Sequence, residues 1–242
     1  SIPRNILSLA LPMTAAQLIN VLYSVVDRIY LGQLPGHLAL TGLGLTMPIV
    51  SIVMGFANLC GTGGAPLCSI HRGKGEVEEA ERVMGNAFTL LLLFGAVITG
   101  AFLLLKRPLL YLFGASDATY PYAEAYMTIY LLGTVLVMIG LGMNPFITSQ
   151  GFGKIGMMTV GLGAIINIIL DPILIFAAGM GVQGAALATV IAQGCPAAWV
   201  LGFLTSQRAV LRLRLKNMAL RAVRVKAIVT LGLSGFFMNL TN

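Results

Sequence analysis

The chain has 242 residues, of which 57% are hydrophobic and 10% charged, with 15 Lys/Arg against 8 Asp/Glu. A soluble domain carries about 25% charged residues, and a fold of this size cannot solvate its surface with so few. The composition excludes a soluble enzyme, a nucleic-acid module and a disordered tail. It leaves an all-α, polytopic transmembrane helical bundle, whose mean hydropathy of +0.91 and 29 glycines suit closely packed spanning helices.

A spanning helix needs about 20 apolar residues. Six complete spans are predicted: Ile6–Leu31, Ala39–Ile70, Gly85–Leu105, Ala123–Ile147, Met157–Phe176 and Gly184–Leu204, with a seventh beginning at Ala227. The second is over-long, and its Pro48, Pro66 and Gly61–Gly64 cluster predict a bent or extended helix. The first carries Asp27 and Arg28 where a cleavable leader would need small residues, so it is expected to be a span.

Orientation follows the basic residues. With the N-terminus in the cytoplasm, the inner segments hold Arg4, Arg72, Lys74, Arg82, Lys154, Arg208, Arg212, Arg214, Lys216, Arg221, Arg224 and Lys226. Only Arg28, Lys106 and Arg107 fall outside. This predicts a multi-pass protein of the cytoplasmic membrane. Tyr111, Phe113, Tyr120, Tyr122, Tyr126 and Tyr130 crowd the outer connection between the third and fourth spans as an interfacial belt would. The segment Gln207–Lys226 has seven Lys/Arg and no acid, with Leu211, Leu213 and Leu215 interleaved; it reads as a connector against anionic lipid headgroups. In the loop Arg72–Arg82, Glu78 and Arg82 form an i,i+4 pair. Cys60, Cys68 and Cys195 read as small buried hydrophobes. The glycines around Lys154 lack the strand and the Gly-Lys-Ser/Thr order of a phosphate loop, and no catalytic constellation or cofactor motif points to an enzyme.

Charges inside a span are costly and tend to mark a pathway. In the first span Gln17, Asn20, Ser24 and Asp27 follow steps of 3, 4 and 3, and so line one helix face. In the fifth, Asn167 and Asp171 are one turn apart and Pro172 follows, which frees the carbonyl of Ile168. A carboxylate, an amide oxygen and a free carbonyl suit a hard cation such as Na+, and a protonatable carboxylate serves H+ equally. Asn144-Pro145 in the fourth span, Thr189 and Gln193 in the sixth, and Asn58 and Thr62 in the second repeat the pattern of broken, inward-polar helices seen in secondary transporters. By helical rise, Asp171 lies roughly 21 Å from the inner side and Asp27 roughly 31 Å. Both acids therefore fall in the outer half, where one cavity could hold them. For Asp27 the alternative is an interfacial pair with Arg28; for Asp171 it is a structural acid capping a neighbouring helix.

Several stretches together resemble one family. They are Leu11-Pro12, the run from Tyr23 through Asp27 to Gly32, Ile70 to Gly75, Ser149-Gln-Gly151, Asn167 to Pro172, and Gly181–Gly184 with Ala185 to Thr189. Across essentially its full length the chain resembles the multidrug and toxic compound extrusion (MATE) transporters. The resemblance implies twelve helices in two six-helix lobes related by a pseudo-twofold axis. It also implies alternating access and export of organic cations or amphipathic drugs in exchange for Na+ or H+, with no other cofactor. Asp27, Asn167, Asp171 and Thr189 match positions proposed to bind the coupling ion, and Gln17, Asn20, Ser24, Asn144 and Gln193 are candidate cavity-lining residues. The wider superfamily includes lipid-linked saccharide flippases; a six-helix channel or scaffold complete as it stands is the reading from another class.

The two ends of the chain share a pattern. Setting Ile6–Asn20 above Ile228–Asn242, five positions coincide and Ala10 faces Gly232. Residues 1–205 are thus expected to form one six-helix lobe, 206–226 a basic connector, and 227–242 the truncated start of a second lobe, in the seventh helix. Such a piece is not expected to transport alone.

Overall fold

The computed structural model describes residues 2–33 and 37–241. Its described elements are helical. They are α1 (Ile2–Gly32), α2 (His37–Gly73), α3 (Val77–Leu112), α4 (Tyr120–Leu132), α5 (Thr134–Ser149), α6 (Gly153–Pro172), α7 (Val182–Thr205) and α8 (Ala222–Thr241). A π-helical stretch, Ile173–Ala177, extends α6, and a single 3-10 turn, Leu215–Asn217, interrupts the connector. Among the described residues five helices are long and apolar enough to cross a membrane, or six if the bent pair α4–α5 counts as one span.

That pair corrects the sequence expectation. The span predicted as one helix over 123–147 breaks at Gly133 and bends by 59°. No proline marks the break. A Cβ at Gly133 would run into the branches of Val190 on α7, so the break admits α7 close to the turn. The over-long second span, by contrast, is one continuous helix through both prolines.

Residues of α2, α3, α4, α5 and α7 make the core, with Phe146, Tyr130, Met84 and Ile49 among its most buried side chains. Tyr126 and Tyr130, predicted at the interface, are buried and stacked 5.9 Å apart; the interfacial stack is that of Tyr111 and Tyr120. Cys60 and Cys68 are buried as expected, whereas Cys195 is exposed, on the face of α7 turned away from the core. α1 packs mainly on α6 and is otherwise exposed along its apolar length.

α8 lies along α2. A Cβ at Gly63 would meet the Ile228 carbonyl, and one at Gly232 would meet the Leu59 carbonyl. The two backbones therefore touch directly, as small residues permit between membrane helices. Phe236 closes the seam beside Phe56, ring centroids 4.8 Å apart, and Phe56 meets Phe94 at 4.9 Å.

The connector is folded onto the lobe instead of lying free. Leu211 and Leu213, expected to face lipid, are 1% and 6% exposed, because Gln150 and Glu81 bind the backbone between them. Gln150 accepts from the Leu211 N–H at 2.9 Å and donates to its carbonyl at 3.4 Å. The Arg212 N–H donates to Glu81 at 3.3 Å. Arg224 donates twice to Glu79, at 2.8 and 3.0 Å, ahead of the apolar stretch of α3 that starts at Gly85, and holds the Glu79 carboxyl below the usual carboxylate range. The Glu78–Arg82 pair is present at 3.7 Å.

Candidate functional site

Asp171 and Asn167 occupy successive turns of α6 just before the helix loses its α register. Pro172 has no N–H to offer Ile168, and the chain continues as a π turn in which the Ala178 N–H reaches Ile173 at 2.8 Å. Such irregular turns often mark functional positions. Asp171 is 0% exposed and Asn167 is buried beside it. From α1, which packs on α6, Asp27 brings its carboxyl beside that of Asp171, close enough for the two to interact.

The site is short of donors. Asp27 Oδ1, Asn167 Oδ1 and both carboxyl oxygens of Asp171 are buried without a hydrogen-bond partner among the described residues. Buried acceptors are normally paired, and an unpaired one costs about 1–3 kcal/mol, more when charged. Buried oxygens of this kind can accept a cation or a proton. The ligating atoms on offer are all carboxyl and amide oxygens, a donor set that suits a hard monovalent cation or H+ better than a transition metal.

Thr189 is half-buried on α7, and its hydroxyl donates to the Ala185 carbonyl of its own helix at 3.0 Å. Among the described residues no hydrogen bond joins it to the acid pair. The side chain of Ser24 lies outside the described residues.

The remaining candidates assemble elsewhere. Gln17, Asn20, Asn144 and Gln193 line a cavity of about 470 Å3 among α1, α2, α5, α6 and α7, together with Asn58 and Thr148. The cavity lining contains no charged residue among those described. Asp27 and Asp171 lie seven residues beyond Asn20 and Ala164, its last lining residues on α1 and α6, or about 10 Å along each helix. The acids and the cavity are thus two adjacent sites sharing α1 and α6, where the sequence suggested a single one.

Sequence reasoning missed Thr159. Asn144 donates to Thr159 Oγ1 at 2.7 Å and to the Gly156 carbonyl at 3.2 Å, while Thr159 donates to Gly156 at 2.7 Å. This latch ties α5 to α6. The available signal was Gly156 three residues before Thr159, a bare stretch of helix that an amide can approach. Replacing Asn144 by Ala is expected to destabilise the protein in detergent by about 0.5–1.5 kcal/mol. Gln17→Ala, on an exposed side chain, should leave the melting curve unchanged.

The family model described as MatE matches residues 12–173, a stretch that contains Asp27, Asn167 and Asp171 but not Thr189. The multidrug export protein MepA of Staphylococcus haemolyticus (strain JCSC1435) is 27% identical over 238 residues, 98% of this chain and 53% of the relative. MepA of Staphylococcus aureus (strain MSSA476) is 25% identical over 231 residues, covering 96% and 51%. The crystal structure of MATE in complex with MaD3S superposes with a TM-score of 0.92 at 26% identity, over 98% of this chain and 53% of the other. A MOP superfamily transporter from Pyrococcus furiosus, for which a binding pocket of reverse polarity suggests a different function, gives 0.91 at 26% identity, covering 98% and 52%. The chain spans about half the length of the curated relatives it matches. Its helical bundle follows the MATE structures over nearly all of its length, and the chain belongs to the MatE family.

Proposed function

We propose that this chain forms the ion-binding lobe of a multidrug exporter that drives organic cations or amphipathic compounds out of the cell in exchange for Na+ or H+, with its basic end in the cytoplasm. A second lobe, which α8 begins, completes the path. The observation that carries this reading is the set of four partnerless buried oxygens on Asp27, Asn167 and Asp171, set about 10 Å along α1 and α6 from the uncharged polar cavity.

Two carboxylate charges held together away from water repel one another and demand compensation. A bound cation or proton supplies it and lets α1 close against α6. When the ion leaves, the repulsion acts across the α1–α6 contact, the main packing that α1 has. The same two helices wall the cavity, so the ion's state reaches the drug's binding surface through them. Amides and hydroxyls in an otherwise apolar cavity suit amphipathic guests of varied shape. Among the described residues the lining holds no Lys or Arg to pair with an anionic lipid-linked saccharide.

The test is efflux of a fluorescent organic cation from vesicles carrying the protein together with its second lobe. Transport that depends on an imposed Na+ or pH gradient supports the proposal. Passive flux independent of either gradient would favour a channel.

A further inference from the structure

The connector between α7 and α8 is fastened by its own backbone. Besides the bonds to Gln150 and Glu81, the Arg221 N–H donates to Asn86 at 2.9 Å and the Thr89 hydroxyl donates to the Met218 carbonyl at 2.6 Å. These bonds set its depth. Thr89 lies four residues past Gly85, where the apolar stretch of α3 begins, or about 6 Å into it. The connector therefore runs level with the first turns of the apolar stretch of α3.

At that depth its free charge has one sign. Of the seven cations from Gln207 to Lys226, Arg214 is taken by Glu81 at 3.3 Å and Arg224 by Glu79. Glu78, the third acid on the same turns of α3, is taken by Arg82. Arg208, Arg212, Lys216, Arg221 and Lys226 have no carboxylate within ion-pair distance among the described residues, and all but the half-buried Arg212 are exposed. Among these cations stand two large apolar side chains with no cover, Leu215 at 85% exposed and Val223 at 82%. Leu211 and Leu213 are buried, and the Gln150 and Thr89 bonds fasten the connector on either side of Leu215.

We propose that this face of the connector is a binding surface for anionic phospholipid, the five free cations engaging phosphate headgroups while Leu215 and Val223 enter the acyl boundary. Cations at a membrane surface and apolar side chains a few ångströms below it act additively in such contacts. The proposal requires a membrane-spanning protein but does not depend on transport.

The test uses the purified protein in dodecyl maltoside micelles doped with phosphatidylglycerol or, at equal mole fraction, phosphatidylcholine, with the thermal melting midpoint as readout. Phosphatidylglycerol is expected to raise the midpoint and phosphatidylcholine to leave it. Changing Arg208, Arg212, Lys216, Arg221 and Lys226 together to Gln should raise the half-effective phosphatidylglycerol fraction by about tenfold or more. A matched control with Arg4, Arg72, Lys74 and Lys154 changed to Gln should stay close to the parent. Leu215→Asp, at a side chain that packs on nothing, tests the apolar part without risk to the fold and should also weaken the response. The proposal is overturned if either connector variant keeps the parent's response or if phosphatidylcholine acts equally. It fails likewise if inorganic phosphate alone reproduces the shift, which would mean a free-anion site. If another polypeptide segment covers the face, phosphatidylglycerol will produce no shift at all, and that result overturns the proposal too.

Discussion

Changing Asp27 and Asp171 together to Asn is expected to abolish ion-driven efflux while the protein still folds and still binds drug. The expectation rests on geometry. The two carboxyls are close enough to interact, and three of their oxygens have no hydrogen-bond partner among the described residues; an amide pair of nearly the same shape keeps the packing but carries no charge to neutralise. Drug binding is expected to survive because the cavity lining ends seven residues short of the acids on both helices. Asp171→Asn alone is expected to cost more than Asp27→Asn, since Asp171 is fully buried and both of its oxygens lack partners. Gradient-driven efflux in vesicles, with melting curves as the control for folding, checks this. Undiminished gradient-driven efflux by the double variant would show that the acids do not carry the coupling.

Valine at Gly63 or Gly232 should produce the largest loss of stability of any single change along α2 and α8. A Cβ at either position meets backbone carbonyl, of Ile228 or of Leu59, and backbone cannot rotate away as a side-chain tip can. The helices must separate, and the contact of Phe236 with Phe56 opens with them. Overpacking of this kind costs about 3 kcal/mol, at the upper end of its usual range. Gly100→Ala on α3 is the contrasting case: nothing lies within 4 Å of its Cβ. It should be neutral or stabilising by up to about 1 kcal/mol through helix propensity. Melting midpoints of the three variants in one detergent check the order. If Gly63→Val and Gly232→Val melt with Gly100→Ala, the α2 and α8 backbones do not touch.

The spans and the acid pair were legible in the sequence for the same reason. In a chain this apolar, an Asp one turn after Asn and just before Pro stands out against its neighbours, and so does the polar face from Gln17 to Asp27. The break at Gly133 was not legible, because one glycine among 29 carries no local mark. What requires it is Val190, 57 positions away. The inward turn of Leu211 and Leu213 was hidden in the same way. Leucines interleaved with cations read locally as a connector lying against lipid headgroups, and only Gln150 and Glu81, brought in from other helices, turn Leu211 and Leu213 inward. The separation of the acids from the cavity depends on where five helices diverge, which no single helix encodes. Local chemistry identified the residues, and tertiary packing decided how they are grouped.

The coupling between ion and drug is read from the affinity of a fluorescent organic cation for the reconstituted protein, titrated across Na+ concentration and across pH. Parent and Asp27→Asn, Asp171→Asn double variant are compared. In the parent, the coupling cation is expected to weaken drug binding by a factor between about 5 and 150, and the drug to weaken ion binding by the same factor. In the double variant both factors should collapse to one. Equal coupling in parent and variant, or a drug affinity in the parent indifferent to both Na+ and pH, would contradict the assignment of Asp27, Asn167 and Asp171 as the ion site.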